Sequence, residues 1–114
     1  MASALPFRPS IDHSPQDRST LELTDADTGA VIQALSSETA RSILACIEEA
    51  PGTASDIAQQ VDTSLQNIRY HLENLRDAEL IAPVDTWYSS KGREMTVYAP
   101  TARQLVIEHG GGPG

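Results

Sequence analysis

Between Ser64 and His71 the chain places Ser64, Gln66, Asn67, Arg69, Tyr70 and His71 within two turns of a segment whose apolar spacing is helical. A Gln or Asn carboxamide sets a donor beside an acceptor, which matches the edge that adenine shows in the major groove. A guanidinium sets two donors side by side, which matches guanine. Carboxylates are absent from Thr63 to Leu72 and return only at Glu73, in a chain with 16 acids among its 114 residues. These residue types can hydrogen-bond base edges and phosphates. A second set of cations, Lys91 and Arg93, flanks Gly92, where long side chains could reach a backbone phosphate or the minor groove. A charged tip on a solvated hairpin is the plainer reading of that pair.

The elements that must position these residues follow from apolar spacing and turn chemistry. Asp25 or Asp27 can cap a first helix to about Leu35 that buries Val31, Ile32 and Leu35. Ser36 or Ser37 caps a second, whose Ala40, Ile43, Leu44 and Ile47 share one face, and Pro51-Gly52 ends it. Thr53 with Asp56, and Thr63 with Gln66, each have capping-box spacing. The first opens a short helix, about 54–60, burying Ile57, Ala58 and then Val61. The second opens a longer one, about 64–78, burying Leu65, Ile68, Leu72 and Leu75. Two helices joined by Val61-Asp62-Thr63 form a helix-turn-helix.

Beyond Leu80 the pattern becomes strand-like. Residues 80–84 read as a short strand limited by Pro83. Segments 86–90 and 94–98 are rich in aromatic and β-branched residues and read as a hairpin turning at Lys91-Gly92-Arg93. Helices followed by such a hairpin give a mainly α fold with a small β-hairpin (α+β), the winged helix-turn-helix. The predicted organisation is a flexible arm over 1–24 with Pro6, Pro9 and Pro15, a DNA-binding domain over 25–109, and a Gly-rich tail over 110–114. Leu21-Glu-Leu23 alternates too briefly to be more than a candidate strand, and 101–109 suits either a helix capped by Thr101 and Gln104 or a strand.

Composition bounds the function. One cysteine builds neither an intramolecular disulfide nor a cysteine-rich zinc site, and His13, His71 and His109 are scattered without metal-ligand spacing. No metal and no cofactor is expected. No apolar run is long enough for a membrane span, and the N-terminus lacks a secretory pattern, so a cytoplasmic protein is expected. No nucleophile–base pair or Gly-rich phosphate loop is present, so no enzyme is expected. Cys46 reads as a buried inert thiol beside Ile43 and Ile47, His71 as a half-buried residue behind the reading face, and Trp87 and Tyr88 as sheet packing.

The formal charge is −8. Residues 1–62 hold ten acids against three arginines, residues 63–100 five acids against four bases, and the remainder one of each. The acids therefore lie away from the proposed reading face. Lys91 is the one lysine among eight bases; an acid-rich, lysine-poor composition suits a protein from a salt-loaded cytoplasm, and an ordinary acidic bacterial protein is the alternative.

The stretch from Ala34 to Pro100, ALSSETARSILACIEEAPGTASDIAQQVDTSLQNIRYHLENLRDAELI followed by DTWYSSKGREMTVYAP, resembles ArsR-type winged helix-turn-helix regulators, in particular their halophilic archaeal branch. The Ala-Leu-Ser opening of the second helix, His71-Leu72, Leu75, and Leu80-Ile81 carry the resemblance. It implies a dimeric, DNA-binding transcriptional regulator whose base-reading positions fall on Gln66, Asn67, Arg69 and Tyr70, with His71 nearby. Three features depart from the family pattern. Glu79 stands where a Gly usually ends the recognition helix, implying a different exit. The helix over 54–60 lacks the cysteine pair of metal-sensing members, so no metal sensing is expected. The C-terminal dimerisation helix is reduced to Thr101–His109. The expected function is sequence-specific reading of double-stranded DNA by a homodimer, with helix 64–78 in the major groove and the 86–98 wing on the backbone or minor groove. The alternative is a winged-helix module for protein contact, and last a single-strand binder, for which no aromatic groove is apparent.

Overall fold

In the computed structural model, residues 14–110 are described. They form β1 (Ser19–Glu22), α1 (Ala26–Ala34), α2 (Glu38–Glu49), α3 (Ala54–Ala58), α4 (Leu65–Asp77), β2 (Ile81–Tyr88), β3 (Glu94–Pro100) and β4 (Leu105–Glu108). The expectations for residues 1–13, including His13, and for 111–114 lie outside the described residues.

Side-chain capping accounts for the starts of α2, α3 and α4, whereas Asp25, at the N-cap position of α1, makes no side-chain cap bond. Ser37 accepts from the Ala40 N–H at the head of α2. Thr53 and Asp56 form the reciprocal box predicted for α3, both bonds at 3.1 Å. The box predicted at Thr63 and Gln66 does not form. Ser64 is the N-cap of α4, accepting from the Asn67 N–H, and Thr63 instead accepts from the Asn67 side-chain amide. The cap has moved by one residue because Ser64, equally suited to it, holds the extended backbone that a cap requires. α3 also ends sooner than predicted, at Ala58.

The core joins Val31, Ile43, Ile47, Ile57, Ile68, Leu72 and Leu75 to Leu80 and Ile81. These are one face of each helix and the entry to the sheet. Two predicted core residues are exposed: Ile32 on α1 and Leu65 in the first turn of α4. Each lies at the edge of its helix's apolar stripe, where no second element among the described residues covers it.

The helix-to-sheet exit keeps the left-handed conformation that a Gly would favour, although the residue is Glu79, at φ 60°. The Leu80 N–H donates to the Leu75 carbonyl and the Glu79 N–H to the Arg76 carbonyl, which is a Schellman ending closed by the buried Leu75 and Leu80. The expectation of a different exit is corrected: backbone hydrogen bonding and the apolar closure hold this residue at φ > 0 without glycine.

β2 and β3 pair antiparallel, from Ile81 opposite Pro100 to Tyr88 opposite Glu94. Residues 80–84 are therefore not a separate strand. The ladder shifts register between Pro83 and Asp85, so the proline that cannot donate sits at a bulge within one long strand. Trp87 is buried as predicted, but Tyr88 points out, because successive strand residues face opposite sides. Gly52 exchanges both backbone bonds with Tyr98, tying the sheet to the loop before α3.

The chain ends hold a second sheet. β1 runs parallel to β4, with Ser19 opposite Leu105 and Glu22 opposite Glu108. Arg18 Nε donates to Gln104 Oε1 at 2.8 Å beside it. The predicted flexible arm thus contains an ordered strand, and the open choice for 101–109 resolves as a strand. Thr101 caps no helix, and its hydroxyl donates to the Glu79 carbonyl. Leu21 and Leu105 pack on the core from this sheet.

Candidate nucleic-acid interface

α4 buries Ile68, Leu72 and Leu75. With 100° between successive residues, Gln66, Tyr70, Glu73 and Asp77 fall on the opposite side, Arg69 and Arg76 on one flank, and Asn67, His71 and Asn74 on the other. Ser64, Gln66 and Arg69 are exposed, and Tyr70 is 62% exposed. Its first two turns therefore present polar and cationic side chains free of carboxylate, while Glu73 and Asp77 begin the acidic half.

Two predicted readers are constrained. Asn67 is half-buried and its Nδ2 donates to Thr63 Oγ1 at 2.9 Å, so its amide braces the turn between α3 and α4. His71 is half-buried, its ring edge-on to Tyr70 with centroids 5.2 Å apart. It lies behind the outward face and supports the orientation of Tyr70.

The Arg69 flank borders a groove of about 340 Å³ between the start of α3, α4 and β3. Thr53, Ala54 and Ser55 form one wall, Arg69, Glu73 and Arg76 another, and Glu94, Met95 and Thr96 the third. Arg76 and Ser55 did not figure among the predicted contact residues. The signal for Arg76 was its spacing of seven from Arg69, which puts both on one flank of a helix.

At the hairpin tip, Ser89 shapes the turn. Its Oγ accepts from the Lys91 N–H at 3.3 Å and the Arg93 N–H at 3.1 Å, and Gly92 takes φ 79°. Lys91 and Arg93 are exposed. The structure brings Ser64, Gln66, Arg69 and Tyr70 together on one helix end, and places Lys91 and Arg93 together on the wing.

Among the described residues no group of three His, Cys, Asp or Glu side chains could hold a metal ion, and no helix is long and apolar enough to cross a membrane. Burial pushes the Cys46 thiol pKa up, and the nearby Glu49 carboxylate pushes it the same way. That favours the protonated, unreactive thiol.

Residues 35–84 match a helix-turn-helix domain family. Among solved structures, an ArsR-like transcriptional regulator from Rhodococcus sp. RHA1 is similar at 32% identity and TM-score 0.53, over 66% of this chain and 65% of that one. An ArsR family transcriptional regulator seen by crystallography matches at 24% identity and TM-score 0.53, over 65% of this chain and 75% of its own. The solution structure of a homodimeric winged helix-turn-helix DNA-binding domain from Mycobacterium bovis, described as a possible ArsR-family regulator, matches at 16% identity and TM-score 0.53, over 67% and 65%. The last two show the shared fold. Comparison with curated proteins gives no match.

Proposed function

We propose that this chain, a winged helix-turn-helix protein similar to ArsR-type regulators, is a DNA-binding transcriptional regulator that acts as a homodimer in a salt-loaded cytoplasm. The observation that carries the reading is the exposed, carboxylate-free start of α4, which presents Ser64, Gln66, Arg69 and Tyr70 on a rigid, capped helix. In the proposed complex that end enters the major groove. Gln66 and Arg69 read base edges, and Ser64 contacts phosphate near the helix N-terminus. Asn67 holds the turn, and His71 backs Tyr70. Lys91 and Arg93 reach the backbone or minor groove of the flanking duplex. Two copies read half-sites about one helical turn apart. The homodimeric relative supports the dimer. No metal enters the proposal, because the chemistry offered is hydrogen bonding.

A protein-contact module is the competing reading, and the acids Glu73 and Asp77 on the exposed side of α4 favour it. Chromatin immunoprecipitation with sequencing of the tagged full chain separates the two. Sharp promoter peaks that share a two-fold motif are expected. A featureless profile, with no binding of purified protein to duplex at low salt, would replace the DNA reading with the protein-contact one.

A further inference from the structure

The two outer edges of the β1–β4 sheet differ. At β1 the C-terminal end of the edge is taken up by the first turn of α1: the Glu22 N–H donates to Asp25 Oδ2 at 3.2 Å, and the Glu22 carbonyl accepts from the Asp25 N–H and the Thr28 hydroxyl. At β4 the edge is open. The Ser19 N–H donates to the Gln104 carbonyl and the Leu23 N–H to the Glu108 carbonyl. In a parallel ladder this turns the backbone of Gln104, Val106 and Glu108 toward β1 and that of Leu105 and Ile107 away. Among the described residues, the outward N–H and C=O groups of Leu105 and Ile107 have no partner. The strand, Leu-Val-Ile-Glu, also lacks the lysine, proline or bulge that usually guards an edge. Ile107 is 37% exposed, on the same face as Leu21 and Leu105, which pack on the core.

We infer that β4 is the dimerisation strand, pairing antiparallel with β4 of a second copy about a two-fold axis at Val106. The inference rests on the dimeric part of the proposed function and adds its interface. Outward-facing residues must meet outward-facing residues, so the register has few choices. With Val106 on the axis, Leu105 lies opposite Ile107 of the second copy and the two exchange both backbone bonds, as does the symmetric pair. Each Ile107 then lies beside a Leu105 on the core face, and Glu108 lies opposite Gln104. Moving the axis two residues along, to residue 108, would oppose Glu108 to its own copy, a like-charge pair. The four-stranded sheet so formed is ordered β1-β4-β4-β1, with Glu22 on each outer strand held by the first turn of α1.

The test measures mass by light scattering on the full chain without DNA. The native chain is expected at twice 12.3 kDa. Ile107→Pro removes an outward N–H and spares the β1 ladder, so it is expected to be folded and monomeric. As a second readout, Val106→Cys in a Cys46→Ser background places thiols at an opposed, non-hydrogen-bonded pair about 4.5 Å apart at Cα, within disulfide reach. Mild oxidation is expected to crosslink most of it and little of a Thr20→Cys control. If Ile107→Pro unfolds, the crosslink decides. A native dimer that persists in Ile107→Pro, with no Val106→Cys crosslink, would overturn the edge while leaving a dimeric DNA binder intact. A monomeric native chain would overturn both the edge and the dimer. A chain that dimerises only when residues 1–13 are removed would make that segment the occupant instead. Duplex binding is scored separately, so loss of the DNA reading shows as a dimer that binds no site.

Discussion

Arg69 and Gln66 should discriminate bases, since both are exposed at the start of α4 and neither side chain has a hydrogen-bond or ion-pair partner among the described residues. Replacing either by Ala should cost about 1–3 kcal/mol of affinity for the cognate site and relax specificity at one position. Fluorescence anisotropy with the duplex identified by immunoprecipitation checks this, and native affinity in both variants would remove them from the reading face. Asn67 should behave differently. Its amide already donates to Thr63, so Asn67→Ala should lower stability by about 1 kcal/mol, seen as a lower Tm, with a smaller loss of discrimination than Arg69→Ala. Residue type alone could not separate these cases. Gln66 and Asn67 carry the same carboxamide and adjoin in sequence, but the turn places a hydroxyl beside only one of them.

At the scale of elements, Glu79 is the point where local preference and fold disagree. A non-Gly residue at φ 60° is held there by the Schellman bonds and by the Leu75–Leu80 closure. Glu79→Gly should therefore raise stability by about 1 kcal/mol, a rise of about 4 °C in Tm for a domain of this size. An unchanged or lower Tm would mean that the Glu side chain contributes more than the backbone strain costs. The helices were legible because each buries one stripe against the others, and a stripe with a 3.6-residue period is visible in sequence. The hairpin was legible from its aromatic and β-branched content around Gly92. The bulge at Pro83 was not, because the register of a ladder depends on the partner strand. The β1–β4 pairing was not, because it joins segments 86 residues apart that each carry too few apolar residues to show a period. On the site side, the helix and the wing tip were legible, whereas the groove holding Arg76 and Ser55 required three elements to be brought together.

For the whole molecule, a charge of −8 repels DNA at long range while four bases near the proposed interface attract it at contact. The two effects separate by distance. The Debye length falls from about 10 Å at 0.1 M salt to about 3 Å at 1 M, so salt removes the repulsion between the acidic N-terminal half and the duplex before it removes contact pairs. If Arg76, Lys91 and Arg93 each neutralise one phosphate, log affinity should fall with log salt at a slope of about −3 per protomer. Lys91→Ala should reduce that slope by about one. The association rate should instead rise as salt is added, the reverse of a basic protein steered onto DNA. Stopped-flow binding across a salt series measures both quantities. An association rate that drops steeply with salt would mean that a positive face guides the encounter, and the acids of the first half would then have no bearing on how this protein meets its site.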